Sequence, residues 1–134
     1  MLFRSLSGVP QALPALLRAS RLTEKAARVG FDWRRTEAVF NKIDEELAEL
    51  REAMRSGEES KVHEELGDLL FTIANIARKL NVNAEEALQS TNRKFTRRFE
   101  IMESRVREGG RNIDDLTLEQ MDGLWDEAKA AERA

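Results

Sequence analysis

The sequence predicts an all-α fold, a helical bundle of about five helices, and three observations carry that prediction. Apolar residues recur at spacings of three and four along most of the 134 residues, the mark of helices that each bury one face. No alternating run of strand period occurs. Charged residues make up 35 % of the chain against seven glycines and two prolines, a balance that favours helices over short strands and turns.

The first helix is expected within residues 11–29, from around Pro14, a residue suited to a first turn, and Gly30 ends it. "FDW" (31–33) reads as a connector with two aromatic anchors. The second helix is expected over 35–56, with Phe40, Ile43, Leu47, Leu50 and Met54 on one stripe and Gly57 as its break. The third, over 59–80, carries Val62, Leu66, Leu69, Leu70, Ile73, Ala77 and Leu80. Mid-helix Gly67 costs about 1 kcal/mol relative to Ala, so a close helix crossing is expected there. After the loop 81–83, Asn83 and Glu86 form a capping pair for a fourth helix over 84–108, striped by Leu88, Phe95, Phe99, Met102 and Val106. Gly109 and Gly110 stop it. Thr117 with Gln120 caps the last helix, which holds Leu118, Met121, Leu124, Trp125 and Ala128.

A chain of this length is one ordinary domain, expected over 11–134 with residues 1–10 as an extension or connector. There is no cysteine, which excludes a disulfide scaffold, a thiolate metal site and a cysteine nucleophile. No apolar stretch approaches the ~20 residues of a membrane span. Ser, Gly and Pro break the opening "MLFRSLSGVP" too early for a secretory segment, so a cytoplasmic protein is expected. The net charge of −3 conceals an asymmetry: residues 44–68 balance at −7 and residues 91–111 at +4. Two readings are open, an internal pairing of these stretches or an acidic cation site beside a basic phosphate site. A general nucleic-acid binder would be basic overall, and this chain is not.

The acidic stretch writes one pattern twice, "EELAEL" at 45–50 and "EELGDL" at 64–69. Glu46 and Glu49 fall on one flank of their helix's apolar stripe, and Glu65 and Asp68 take the same place on the next. Gly57 is the midpoint: Glu46 and Asp68 lie eleven residues from it, Glu49 and Glu65 eight. In an antiparallel hairpin, flanks of equal offset face the same side of the seam, so the four carboxylates are expected to converge. Such a group suits a hard divalent ion, typically Mg²⁺ held by carboxylates and substrate phosphates. The alternative is an acidic surface met by Lys or Arg. Glu45, Glu52 and Glu64 point away and are expected in solvent. A di-iron site would want Glu-x-x-His pairs, and the single histidine, His63, follows no Glu at that spacing.

On the fourth helix Lys94 and Arg98 share one flank of the Phe95/Phe99 stripe, while Arg93 and Arg97 lie behind. Lys94 and Arg98 suit phosphate oxygens, or else ion pairs with the same acids. Asn92, at the stripe's edge, needs a partner for its amide, either another helix or a base. Trp125 reads as core or, with Lys129 one turn later, as cover for a nucleotide.

These words resemble the Glu-Glu-x-x-Glu … Glu-x-x-Asp signature of the all-α nucleoside triphosphate (NTP) pyrophosphohydrolases. The longer runs "RVGFDW", "EELGDLLFTIANIARKL", "NRKFTRRF" and "MDGLWDEAKAAE" are similar to the C-terminal domain of MazG, over residues 9–132. The resemblance implies hydrolysis of NTPs to monophosphate and pyrophosphate, with Mg²⁺, or Mn²⁺ in its place, bound by Glu46, Glu49, Glu65 and Asp68. It implies nucleotide contacts from Lys94, Arg98, Trp125 and Lys129, beside which Asn92 stands as a candidate substrate contact from its place on the stripe. It also implies a homodimer or higher homo-oligomer, which suits Glu49, far from its own helix's core. Neither nucleic acid nor membrane is an expected partner. MazG proteins often carry two such domains and this chain has one, so regulation by another half is not implied. Three functions remain in view: a broad housecleaning enzyme, a narrower relative acting on dUTP, dCTP or phosphoribosyl-ATP, and a helical interaction module without catalysis.

Overall fold

The computed structural model describes residues 4–133, so the first three residues of the expected extension lie outside them. The described residues are all-helical: α1 (Ala15–Arg28), α2 (Thr36–Ser56), α3 (Glu59–Lys79), α4 (Ala84–Glu108), a 3₁₀ turn (Ile113–Asp115) and α5 (Leu118–Arg133). Pro14 stands just before the first turn, where its carbonyl accepts from the Arg18 N–H. Gly57 closes α2 at φ +73°, a left-handed conformation that glycine adopts without a Cβ penalty. The expected caps form. Asn83 Oδ1 accepts from the Glu86 N–H, and Thr117 and Gln120 exchange side-chain-to-backbone hydrogen bonds.

The chain divides into two compact units between Ala87 and Leu88. In the first unit α3 is the central element, with α2 and α1 packed against it. Its core is built from Val39, Ala53, Ala74 and Ile76. In the second, Met102, Val106 and Ala128 are buried.

Met102 and Val106 of the expected stripes are buried, but most of the large apolar residues on those stripes are not. Phe40, Met54, Leu66, Leu70, Ile73, Leu80, Leu88 and Phe95 are between 42 % and 65 % exposed. The stripes are wider than one neighbouring helix covers, and small residues occupy the closest approach. Gly67 is a second correction: a Cβ there would meet nothing within 4 Å, so no helix of the described chain crosses closely at that point.

Candidate metal centre

The two acidic repeats meet because the α2–Gly57–α3 turn folds them antiparallel in one register. Glu46, Glu49 and Glu65 each place a carboxylate oxygen within 4.8 Å of the others. Asp68 lies outside that group, yet its charge acts on Glu65. Three of the four expected acids therefore cluster and the fourth stands at the edge of the group. A symmetric hairpin brings levels together, but side-chain length decides which oxygens touch, and Asp is one methylene shorter than Glu.

Burial grades the three acids. Glu46 is only 4 % exposed, Glu65 is half-buried and Glu49 is exposed. Lys42, one turn before Glu46, donates from Nζ to Glu46 Oε1 at 3.1 Å and lies 3.4 Å from Glu45. That hydrogen bond to Glu46 holds the Lys42 ammonium above its ordinary range. Glu46 Oε2 is buried without a hydrogen-bond partner, as is Glu65 Oε2. Burial first, then a hydrogen bond with Glu49 and the charges of Glu49, Asp68 and Glu46, push the Glu65 carboxyl up to about 7. Like charges at this separation disfavour full ionisation unless a cation joins them. Two orphaned buried oxygens in an all-oxygen donor set fit a hard divalent ion. Glu45 and Glu52 face solvent and pair with Lys42 and Arg55; Glu64 and His63 are exposed as well.

In the second unit, the basic flank is sorted by pairing. Arg98 is buried and its Nε donates to Glu132 at 2.8 Å, while its guanidinium carbon lies 5.5 Å from the Trp125 ring centre. Arg97 donates to the other oxygen of Glu132, and Arg93 to Ser90. These bonds, that from Arg98 foremost, hold the Glu132 carboxyl below its usual range. Arg98 thus has an acid partner in its own unit, Glu132, and not one of the signature acids that the sequence leaves open as the alternative to phosphate. Lys94 is half-buried and has no ion pair among the described residues. Asn92 is exposed. Trp125 packs on Phe95 with ring centres 5.4 Å apart. Lys129 lines an open depression with Asp126, Ala130 and Arg133.

Lys42 is not among the residues singled out from the sequence, although its place four residues before Glu46 on the same helix is a signal that could have found it. A second polar cluster was not legible, since it joins residues far apart in sequence. Asp32 of the connector receives hydrogen bonds from Arg78 at 2.7 Å and Lys79 at 3.3 Å. Burial works to raise the Asp32 carboxyl, but the bond and charge of Arg78, with Lys79, outweigh it and hold it low.

Residues 34–101 match the MazG nucleotide pyrophosphohydrolase domain. The chain is 45 % identical over 120 residues to a nucleoside triphosphate pyrophosphohydrolase/pyrophosphatase MazG of Thermotoga maritima, covering 90 % of this chain and 46 % of the relative. It is 40 % identical over 130 residues to a nucleoside triphosphate pyrophosphohydrolase of Escherichia coli, covering 96 % of this chain and 49 % of the relative. An uncharacterized protein of Bacillus subtilis, YabN, is 47 % identical over 75 residues, 56 % of this chain and 15 % of its own. The chain spans about half the length of the first two relatives.

Proposed function

Because the chain belongs to the MazG nucleotide pyrophosphohydrolase family, we propose that it hydrolyses nucleoside triphosphates to a monophosphate and pyrophosphate in a Mg²⁺-dependent reaction. The observation that carries this reading is the convergence of Glu46, Glu49 and Glu65 with two buried oxygens lacking a partner. These three would hold the ion, with Asp68 joining at the edge, and Lys42 would fix one oxygen of Glu46 so that the other is presented. A bound divalent ion supplies charge neutralisation for the phosphates and activation of a water. Glu65 would hold such an ion as the carboxylate, its proton released to solvent. In the overall reaction water adds to phosphorus, the α–β anhydride P–O bond breaks and pyrophosphate leaves.

We assign Lys94 a phosphate contact, since it carries a charge no acid of the described residues takes up. Arg98, Trp125 and Lys129 are assigned nucleotide contacts by resemblance, and Asn92 a substrate contact through its exposed amide. A broad housecleaning role and a homodimer belong to the same reading. The exposed Phe40, Leu66, Leu70 and Ile73 support the dimer, because a second copy would cover them. No helix of the described residues is long and apolar enough to cross a membrane.

The test is pyrophosphate release across the common NTPs and dNTPs, dUTP and dCTP included, and phosphoribosyl-ATP, with Mg²⁺ or with EDTA. Release from several bases with Mg²⁺ alone is expected. Diphosphate and orthophosphate as primary products would sink the reaction assigned, and turnover undiminished by EDTA would sink the metal.

A further inference from the structure

We infer that Glu132, near the end of α5, is a positioning residue for the reaction: it holds Arg98 by one nitrogen and leaves the outer edge of the guanidinium to the phosphates of the substrate. The inference rests on the function proposed above. Arg98 is 8 % exposed, and a buried guanidinium ordinarily finds acceptors for most of its N–H donors. Here it finds one. Its Nε donates to Glu132 Oε2 at 2.8 Å, and no acceptor among the described residues takes the Nη hydrogens. A desolvated cation with most of its donors idle lowers stability until an acceptor arrives. Phosphate oxygens are acceptors that match two parallel N–H groups.

Arg97 explains why Glu132 takes no second bond from Arg98. The Arg97 Nε donates to Glu132 Oε1 at 2.9 Å, so each oxygen of the one carboxylate serves a different arginine. A fork from both oxygens onto Arg98 would occupy an Nη donor as well, and the shared arrangement leaves it open. The bond from Arg98 first, then that from Arg97, keeps the Glu132 carboxyl below its usual range. It is therefore ionised, and its hold on both arginines complete, at neutral pH.

Trp125 restrains the same guanidinium from another side. The Arg98 guanidinium carbon lies 5.5 Å from its ring centre, within cation–π reach, and the ring is braced by Phe95 at 5.4 Å between ring centres. Trp125, Ala128 and Glu132 follow one another at three- and four-residue steps, one face of α5, and Ala128 between them is fully buried. A ring over the guanidinium and an acceptor on Nε leave it little freedom to turn. Lys94 stands one turn before Arg98 on α4 and has no ion pair among the described residues. The two cations thus carry unused donors on one flank of one helix, and Glu132 fixes the direction of the second.

The experiment is calorimetric titration with inorganic triphosphate, Mg²⁺ present, of the wild type, Glu132→Gln, Arg98→Ala and the double variant, each below its melting temperature. Glu132→Gln keeps shape and one acceptor oxygen but loses the charge that holds both arginines. It is expected to weaken triphosphate binding by roughly tenfold and to raise KM for NTPs in step. In the Arg98→Ala background the same change is expected to add nothing, because Glu132 acts through Arg98. Glu132→Asp, charged but shorter, is expected to fall between wild type and Glu132→Gln, and it carries the test if Glu132→Gln does not fold. Unchanged triphosphate affinity in the Glu132 variants, or a further loss of equal size in the Arg98→Ala background, would overturn the inference. Tighter binding would make Glu132 a competitor of the phosphates for Arg98 and overturn it as well. A loss that vanishes without Arg98, in a chain that releases no pyrophosphate from any NTP, would support the positioning role and count against the hydrolase reading.

Discussion

Replacing Glu46 by Gln separates a metal ligand from a structural acid. The change is isosteric and neutral, so damage to the metal-free fold is confined to the Lys42 pair. That lysine side chain is 34 % exposed, and such pairs contribute about 0–1 kcal/mol. In the opposite direction, one negative charge leaves a group whose oxygens lie within 4.8 Å, which relieves repulsion. The metal-free melting temperature should therefore move by no more than about 4 °C either way. With Mg²⁺ at a hundred times the wild-type Kd, binding stabilises the wild type by about 2.7 kcal/mol, about 11 °C for a chain of this size. Losing one charge-assisted ligand bond, roughly 1.5–3 kcal/mol, weakens Kd about ten- to hundredfold. The same Mg²⁺ then adds only about 0.4–1.4 kcal/mol, or about 2–6 °C. The assay is thermal unfolding of both proteins in EDTA and at that fixed Mg²⁺. An undiminished Mg²⁺ shift in the variant would refute the ligand role, and collapse of the metal-free variant would make Glu46 a scaffold residue.

The inner and outer acids should divide in kinetics: Glu49→Gln and Glu65→Gln are expected to lose most turnover, while Glu45→Gln, Glu52→Gln and Glu64→Gln keep it, and equal losses would refute the register argument. Lys94→Ala should raise KM or lower kcat by roughly tenfold or more with unchanged melting. Arg98→Ala should lower the melting temperature in a way Mg²⁺ does not restore, because its partner is Glu132; rescue by Mg²⁺ would instead tie it to the metal acids. Glu65 titrates at about 7 in the fold against an ordinary 4.5, so its protonated form stabilises the metal-free fold at low pH. That stability is lost as pH rises from about 4.5 through about 7. Melting scans should show this decline in EDTA and a Mg²⁺ shift larger at pH 8 than at pH 5.5, and an equal shift at both pH values would remove Glu65 from the ligand set.

The helices were legible because period, caps and breaks agree. Gly57, Asn83 with Glu86, and Thr117 with Gln120 mark ends where local chemistry alone decides. The acid cluster was legible for a related reason: a short turn and two copies of one register leave the hairpin little freedom. Burial was not legible. Phe40 and Leu70 sit on textually apolar stripes, but which part of a wide stripe is covered depends on the neighbour's breadth, and Val39 and Ala74 hold the contact instead. Gly67 misled for the same reason, since what approaches a helix is not written in that helix. The partner of Arg98 lies 34 positions away, and that of Asp32 lies 46. Such pairs follow from packing, and no spacing rule announces them.

The claim on which the account turns is that a divalent ion sits among the repeated acids, and anomalous scattering from crystals of this chain soaked in Mn²⁺ tests it most directly. The account predicts a peak bonded to carboxylate oxygens of Glu46, Glu49 and Glu65 at about 2.0–2.3 Å, absent in Glu46→Gln crystals at the same Mn²⁺ concentration. Mn²⁺ bound elsewhere, with Lys42 still on Glu46 and no peak among the three acids, would contradict it.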